Sequence, residues 1–437
     1  MTDQLAEQAP KPDPAPEASR DKDVQARSAY AASLRRPRIL YTAVITAVLA
    51  ALVVTVVLAY QHGEAAHTSL HAVSTPPPAI TVRTPAKSVT QAWSSTDAAA
   101  IGTPYWSGTV VTHDAHTVRG RNGTTGAETW SYTRDDRTLC TVVQDAGVTL
   151  ALYRVGGNCD EMTALNSSTG ARKWTRTYDK DAQPLNGTPH VLINNSTLVL
   201  WTPTVVYATA ADDPHGLDRW QFQRPGCTIN GVAYGTSGAL ISTTCTGVQC
   251  KTGEKFCGDG PQLFLRNAYN GQDTSKSENP DMITWSLMGS TLMPVAADTQ
   301  IVASSAKHLA VLGSKSGKTV ATTDLTDPGQ TADAVEISST ELVWTGGRTY
   351  SISGNTEDWD TAMRALPTIS GKDGADPAID SGVFAVPGKS GIDLLDLVEG
   401  TVKRSVTVNG GTIPDGARAW PYGTGFLVAG EQTSVWR

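Results

Sequence analysis

Beyond Tyr60 the chain lacks any stretch in which large apolar residues recur at the 3.6-residue spacing of a helix, which excludes a helical bundle or an alternating α/β fold for most of its length. Charge is also scarce: Asp, Glu, Lys and Arg make up 18% of the residues, with a formal net of −7. A nucleic-acid partner requires a basic face, so that class is excluded. There is no GxSxG elbow, no HExxH and no phosphate-binding GxxxxGK loop, so catalysis has no motif to start from. Long hydrophobic runs are absent with one exception.

That exception is Ile39–Tyr60 (ILYTAVITAVLAALVVTVVLAY), which holds no charged side chain. At about 1.5 Å per helical residue it reaches roughly 33 Å, enough to cross a hydrocarbon core of about 30 Å. Arg35, Arg36 and Arg38 precede it, whereas Gln61–Leu70 contains no Lys or Arg, so the expected orientation is N-terminus in and C-terminus out. Ala65 and Ala66 are small enough for a cleavage site, but the core is too long and starts too late for a cleaved signal peptide, and it reads as a retained signal anchor.

Residues 1–38 hold seven basic and six acidic side chains and little that is large and apolar, and are expected to be a disordered cytoplasmic tail. That leaves 28 basic against 36 acidic residues from Ile39 onward, a mildly acidic outer part. Residues 61–87, centred on Pro76, Pro77 and Pro78, read as a semi-rigid polyproline stalk. His62, His67 and His71 lie in this stalk, where nothing would orient imidazoles around a metal, and are read as solvated.

All six cysteines lie past the membrane run, where disulfides persist. Cys140 to Cys159 and Cys227 to Cys245 each read as strand, glycine turn and strand, which places each pair across neighbouring antiparallel strands. The expected bridges are Cys140 with Cys159, Cys227 with Cys245 and, by proximity, Cys250 with Cys257. A zinc site from Cys245, Cys250 and Cys257 is the rival reading, but it lacks a CxxC knuckle.

After the stalk the chain is a series of strand-length runs: VTQAW, GTVVTHD, VTLALYRV, STLVLW, GALISTT, TQIVASS, LAVLG, ELVWT, GVFAV and GFLVAG. Gly, Asn, Asp or Ser separate them, so the class is all-β. Trp359–Leu366 (WDTAMRAL) is the only short segment whose pattern would allow a helical turn. Asn122–Trp130 (NGTTGAETW) is echoed at Asn166–Trp174 (NSSTGARKW), the tryptophans 44 residues apart, and more weakly at Ala211–Trp220, Asn267–Asp273, Gly313–Thr319 and Asp393–Val402. A period of about 40 to 50 residues built from four short strands is that of a propeller blade. The Thr-Gly pair supplies positive φ between the last two strands of a blade, and the tryptophan packs between blades.

These segments resemble the PQQ-like β-propeller repeat, whose blade motif is Ala-x-Asp-x-x-Thr-Gly-x-x-x-Trp. The match holds at Thr125, Gly126 and Trp130, and at Ala164, Thr169, Gly170 and Trp174. The resemblance implies a propeller of seven to eight four-stranded blades over 88–437, with the strand at Val89–Trp93 completing the last blade beside the C-terminal pair. It also raises a quinone (PQQ)-dependent dehydrogenase, which in that family uses calcium, an acidic base and often an adjacent Cys-Cys disulfide. This chain has no Cys-Cys, and its nearest acidic cluster, Asp373, Asp376 and Asp380, lacks the spacing of a calcium loop.

His113 and His116 would point to opposite faces of a strand and do not make a joint site. The Asn-x-Ser/Thr triplets at Asn122, Asn166, Asn186 and Asn195 read as turns, and Trp130, Trp174 and Trp220 as inter-blade core. No catalytic, cofactor-binding or metal residue is therefore assigned, and no cofactor is expected. The expected role is a protein-binding or scaffold module of the bacterial cell envelope, held in the bilayer by residues 39–60. Family relatives without quinone bind proteins through loops or an open strand edge.

Overall fold

The computed structural model describes residues 44–55 and 64–437, apart from 103–107, 146, 179–188, 195–196, 212, 214–217, 250–257, 267–282, 327–331, 338, 346, 355, 363–382, 389 and 415. The chain divides into two compact units, Met1–His67 and Thr68–Arg437. In the first, residues 44–55 are helical with their apolar side chains exposed, and Glu64–His67 forms one further helical turn. No helix of the described residues is long and apolar enough to cross a membrane. The span expected at Ile39–Tyr60 is described only over 44–55, its two ends lying outside the described residues.

In the second unit all ten strand-length runs lie on strands. The strands pair as antiparallel meanders. The first comprises Ala98–Ala99, Thr109–His113, Thr117–Asn122 and Glu128–Arg134; the second Thr138–Asp145, Val148–Val155, Asn158–Asn166 and Arg172–Thr177. The third comprises His190–Asn194, Thr197–Trp201, Val206–Ala210 and Asp218–Phe222; the fourth Cys227–Gly235, Gly238–Cys245, Gly260–Arg266 and Ile283–Met288. The fifth comprises Met293–Ala297, Ile301–Ser304, His308–Leu312 and Thr319–Asp324; the sixth Asp333–Ile337, Thr340–Thr345, Arg348–Ser353 and Thr356–Ala362.

A final sheet joins two meanders. Val383–Pro387, Gly391–Asp396 and Val402–Asn409 belong to the seventh, while Arg418–Tyr422, Gly425–Ala429, Thr433–Trp436 and Ser88–Ser95 form the last. Ser88–Ser95 links them, its start parallel to Thr407–Asn409 and its remainder antiparallel to Thr433–Trp436. The N-terminal strand thus completes the C-terminal meander, as expected. Thr90 and Arg437 exchange backbone hydrogen bonds of 2.7 and 2.8 Å at this closure.

The hydrophobic core is divided among the seams between successive meanders. Val118, Trp130 and Tyr132 of the first pack on Val142, Ala151 and Tyr153 of the second. Equivalent clusters join each later meander to the next. A last cluster sets Val110 of the first meander against Tyr422, Leu427 and Val435 of the last, so the sheets close into a ring. A sheet buried on both faces by its two neighbours, repeated around a ring, is a β-propeller.

One local device recurs in this ring. The last two strands of each meander slip by one residue at the same place, leaving Thr129, Lys173, Arg219, Thr284, Val320, Asp358 and Lys403 unpaired in turn, and Ala92 in the closing strand. Each such bulge turns the next side chain toward the neighbouring blade. That side chain is Trp130, Trp174, Trp220, Trp285, Trp359 or Trp93, with Ala321 and Arg404 taking the position in the fifth and seventh blades.

At four of these joints the indole lies on a glycine of the following blade. Gly126, Gly170, Gly317 and Gly400 have φ between +64° and +75°, and a Cβ there would stand 2.5 to 2.8 Å from Trp93, Trp130, Trp285 and Trp359 respectively. Each indole also donates its N–H to a carbonyl of that turn: Gly123, Ser167, Ser314 and Leu397, at 2.9 to 3.1 Å. The Thr-Gly turn and the tryptophan are therefore halves of one joint, but the partners belong to successive blades. An indole burying about 200 Å² contributes roughly 5 kcal/mol to its seam at about 25 cal/mol per Å².

Three expectations need correction. Trp359–Ala362 lies on a strand, Thr356–Ala362, because Trp359 is a docking tryptophan whose alternation serves a sheet. Thr68–Lys87 is not a free stalk. Thr68–His71 adds to the first meander as a fifth strand, the Val73 amide donates to Thr169 O, and the amides of Arg83 and Ala86 donate to Gly423 O and Thr424 O. Val82 is buried and Ile80 packs into the closing seam, so these contacts and the backbone hydrogen bonds tie an otherwise exposed segment to the sheets.

Both Cys140–Cys159 and Cys227–Cys245 form, the latter directly opposed across neighbouring strands. Cys140–Cys159 instead joins the first and third strands of its meander, because Cys159 lies past the Gly156-Gly157 turn and both cysteines sit at register shifts. Cys250 and Cys257 lie outside the described residues.

Candidate interaction surface

A propeller offers two loop faces and a rim made by the edges of its outer strands. At the rim the chain adds strands to itself twice. Thr68–His71 pairs antiparallel with Ser131–Arg134, and Ser88–Thr90 pairs parallel with Thr407–Asn409. A third addition occurs at the opposite edge of the second meander, where Ile101 and Gly102 run parallel to Val143 and Gln144. Each addition supplies partners to backbone groups that a sheet edge otherwise leaves to solvent.

The first meander also carries a largely buried polar network around Asp97. Asp97 Oδ2 accepts from Arg121 Nη2 at 2.6 Å and Arg119 Nη1 at 3.2 Å, and Arg119 reaches Asp114 at 2.8 Å and Glu128 at 3.2 Å. Burial alone would raise the Asp97 carboxyl, but the hydrogen bond from Arg121 and the charges of both arginines hold it below the usual carboxylate range. Asp114 is likewise held low against burial by hydrogen bonds from the His116 amide, Arg119 and the Thr117 amide.

At the seam with the second meander Arg134 is buried. It donates to Glu161 and, at 3.1 Å, to Asp136, with its guanidinium 6.0 Å from the Tyr153 ring. Burial pushes the Tyr153 hydroxyl well above its ordinary value. Each charge in these two groups faces an opposite charge, so they hold strands together.

His113 and His116 do not make a joint site. His116 Nδ1 lies 2.6 Å from Arg137 O, while His113 Nδ1 lies 3.4 Å from Asp114 O, and burial lowers the affinity of His113 for a proton. Asn122 and Asn166 are turn residues. Their Oδ1 atoms accept from the amides two and three residues on, at 2.8 to 3.1 Å. Asp396 does the same in the seventh blade. Asn186, Asn195, His62, Asp373, Asp376 and Asp380 lie outside the described residues. Trp130, Trp174 and Trp220 are buried as expected.

Among the described residues no group of three or more His, Cys, Asp and Glu gathers where it could hold a metal. On the first strand of the sixth meander, Asp333 pairs with Arg418 and Glu336 accepts from the Thr299 amide. A cleft of about 130 Å³ beside the fourth meander is lined by Asn230, Ser242, Thr244, Ser290, Thr291 and Met293. It is smaller than the roughly 300 Å³ at which cofactor pockets begin. The strand edges were the part of the surface that sequence reasoning left unassigned, and the only signal for them was the distribution of charge along each outer strand.

No known protein-family model matches this chain, and no curated protein does. Among solved structures it is similar to BamB from Moraxella catarrhalis, at 16% identity and a TM-score of 0.45 over 80% of this chain and 99% of that one. It is also similar to the computationally designed Ika8 protein, at 10% identity and a TM-score of 0.49 over 80% and 99%. A europium-containing methanol dehydrogenase matches at 12% identity and a TM-score of 0.45, over 78% and 84%.

Proposed function

We propose that this protein is a membrane-anchored, extracytoplasmic propeller of eight blades that serves as a protein-binding scaffold of the bacterial cell envelope. Eight seam clusters and eight recurrences of the bulge support the blade number. Two disulfides favour an oxidising compartment. The uncharged run Ile39–Tyr60 behind three arginines supplies the anchor and its orientation.

The observation that carries the binding role is strand addition at the rim. A sheet edge that accepts Thr68–His71 within the chain uses the same backbone chemistry by which an extended peptide is bound. Crosslinking in intact cells followed by mass spectrometry is expected to recover a reproducible envelope protein. Recovery of a clean, partner-free monomer contradicts the scaffold role, and resistance of the C-terminal bulk to protease added to spheroplasts contradicts the topology.

A further inference from the structure

The segment from Thr68 to Lys87 touches three blades in succession. Thr68–His71 pairs with Ser131–Arg134 at the rim of the first blade, and Val73 packs into the seam between the first and second while its amide donates to Thr169 O at 2.9 Å. The backbone at Pro78 then passes so close to Gly108 that a Cβ on that glycine would stand 2.0 Å from Pro78 O. Ile80 packs into the seam between the first and last blades, and the amides of Arg83 and Ala86 donate to Gly423 O and Thr424 O of the last blade at 2.7 and 3.2 Å. One segment therefore crosses both seams of the first blade.

Its two ends are held differently. Val82 and Pro85 are buried, whereas Ser69, Leu70 and His71 are exposed, Leu70 by 44%. The leading end is attached chiefly through the backbone of four residues, which places it among the parts of a fold that open first. Between the ends lie Pro76, Pro77 and Pro78, and consecutive prolines form a semi-rigid spacer that carries a displacement from one end to the other. The seam at the far end has the least of its own to hold it. Among the described residues its cluster contains four buried apolar side chains, Val110, Tyr422, Leu427 and Val435, fewer than at any other seam, with Ile80 and Trp93 packed against them.

We propose that Thr68–Lys87 is a clasp that couples the start of the propeller to the closure of its ring: releasing Thr68–His71 from the first blade slackens the contacts of Ile80, Arg83 and Ala86 and loosens the seam between the first and last blades. Thr68 is the first residue of this unit, so a pull on the preceding chain acts on the clasp before it acts on any other part of the ring.

The test uses the full-length chain and hydrogen exchange read by mass spectrometry. Backbone N–H groups alternate sides along a strand, so Ser69→Pro with Leu70→Pro removes a donor to Ser131–Arg134 whichever residue faces that edge. The double variant is expected to raise exchange about tenfold at Ser131–Arg134 and also at Arg83, Ala86, Thr109–His113 and Gly425–Ala429, while Ile301–Ser304 in the fifth blade stays as in the wild type. In a Pro76→Gly, Pro77→Gly, Pro78→Gly background the same pair of substitutions should raise exchange at Ser131–Arg134 alone. A rise confined to Ser131–Arg134 in the otherwise wild-type chain overturns the clasp, as does a seam response that survives the glycines unchanged. Coupling is reciprocal, so Ile80→Ala should speed exchange at Thr68–His71. Unchanged exchange there overturns the clasp even if the proline pair unfolds the chain.

Discussion

Replacing Gly170 by alanine tests the joint between blades. Gly170 has φ +72°, and the added methyl would stand 2.6 Å from Trp130 Cδ2 and 2.7 Å from Cγ, against an indole that is fully buried. The left-handed backbone costs a residue with a Cβ about 1–2 kcal/mol, and displacing the packed indole adds about 1–3 kcal/mol. Gly170→Ala is therefore expected to destabilise by about 2–5 kcal/mol. Gly347 has φ +75°, and a methyl added there would meet nothing within 4 Å, so Gly347→Ala carries the backbone cost alone. Urea unfolding followed by circular dichroism and tryptophan fluorescence gives both values. In a Trp130→Ala background the cost of Gly170→Ala should fall to that of Gly347→Ala. Equal costs in the wild-type background would refute the idea that indole-on-glycine docking holds neighbouring blades.

Cys227→Ser with Cys245→Ser should lower stability by about 3 kcal/mol, the value for a loop of this size, read from the shift in urea midpoint at constant slope. Deleting residues 64–72 should raise hydrogen exchange at Ser131–Arg134 while leaving Arg172–Thr177 unchanged, because only the first edge loses its added strand. Acid stability should fall in two stages. His113 is held below its ordinary value, so the unfolded chain takes up a proton first as pH drops below about 6.5, and His113→Gln should remove that stage. Asp97 and Asp114 are held below the unfolded carboxylate value, so their stabilisation is present above about pH 4 and is lost as pH falls through the lower folded values. Asp97→Asn should flatten that second stage in a melting-temperature titration.

The sequence made the strands, two disulfide pairings and the ring closure legible because each leaves a local mark: alternation, glycine turns and cysteine spacing. Thr-Gly-x-x-x-Trp announced the inter-blade joint but not its wiring. Trp130 follows Gly126 in the chain yet packs on Gly170, a contact no local pattern can encode. The bulges before each tryptophan were invisible because the extra residue, whether Thr129, Lys173 or Val320, has no preferred identity. Where the tryptophan is replaced by Ala321 or Arg404 the repeat faded from the sequence, although the register slip persists. Three prolines masked the docking of Thr68–Lys87, since their local preference for an extended, solvated chain gave no hint of the edge and seam awaiting it.

The central claim is a closed ring whose N-terminal strand completes the last blade, and cysteines placed at Ser94 and Ser434, which oppose each other across that closure, test it most directly. The account predicts that an intramolecular disulfide forms between them without disturbing Cys140–Cys159 or Cys227–Cys245, and that it raises stability by up to about 5 kcal/mol through the very long loop it closes. Two thiols that stay free, or that link separate molecules, would contradict it.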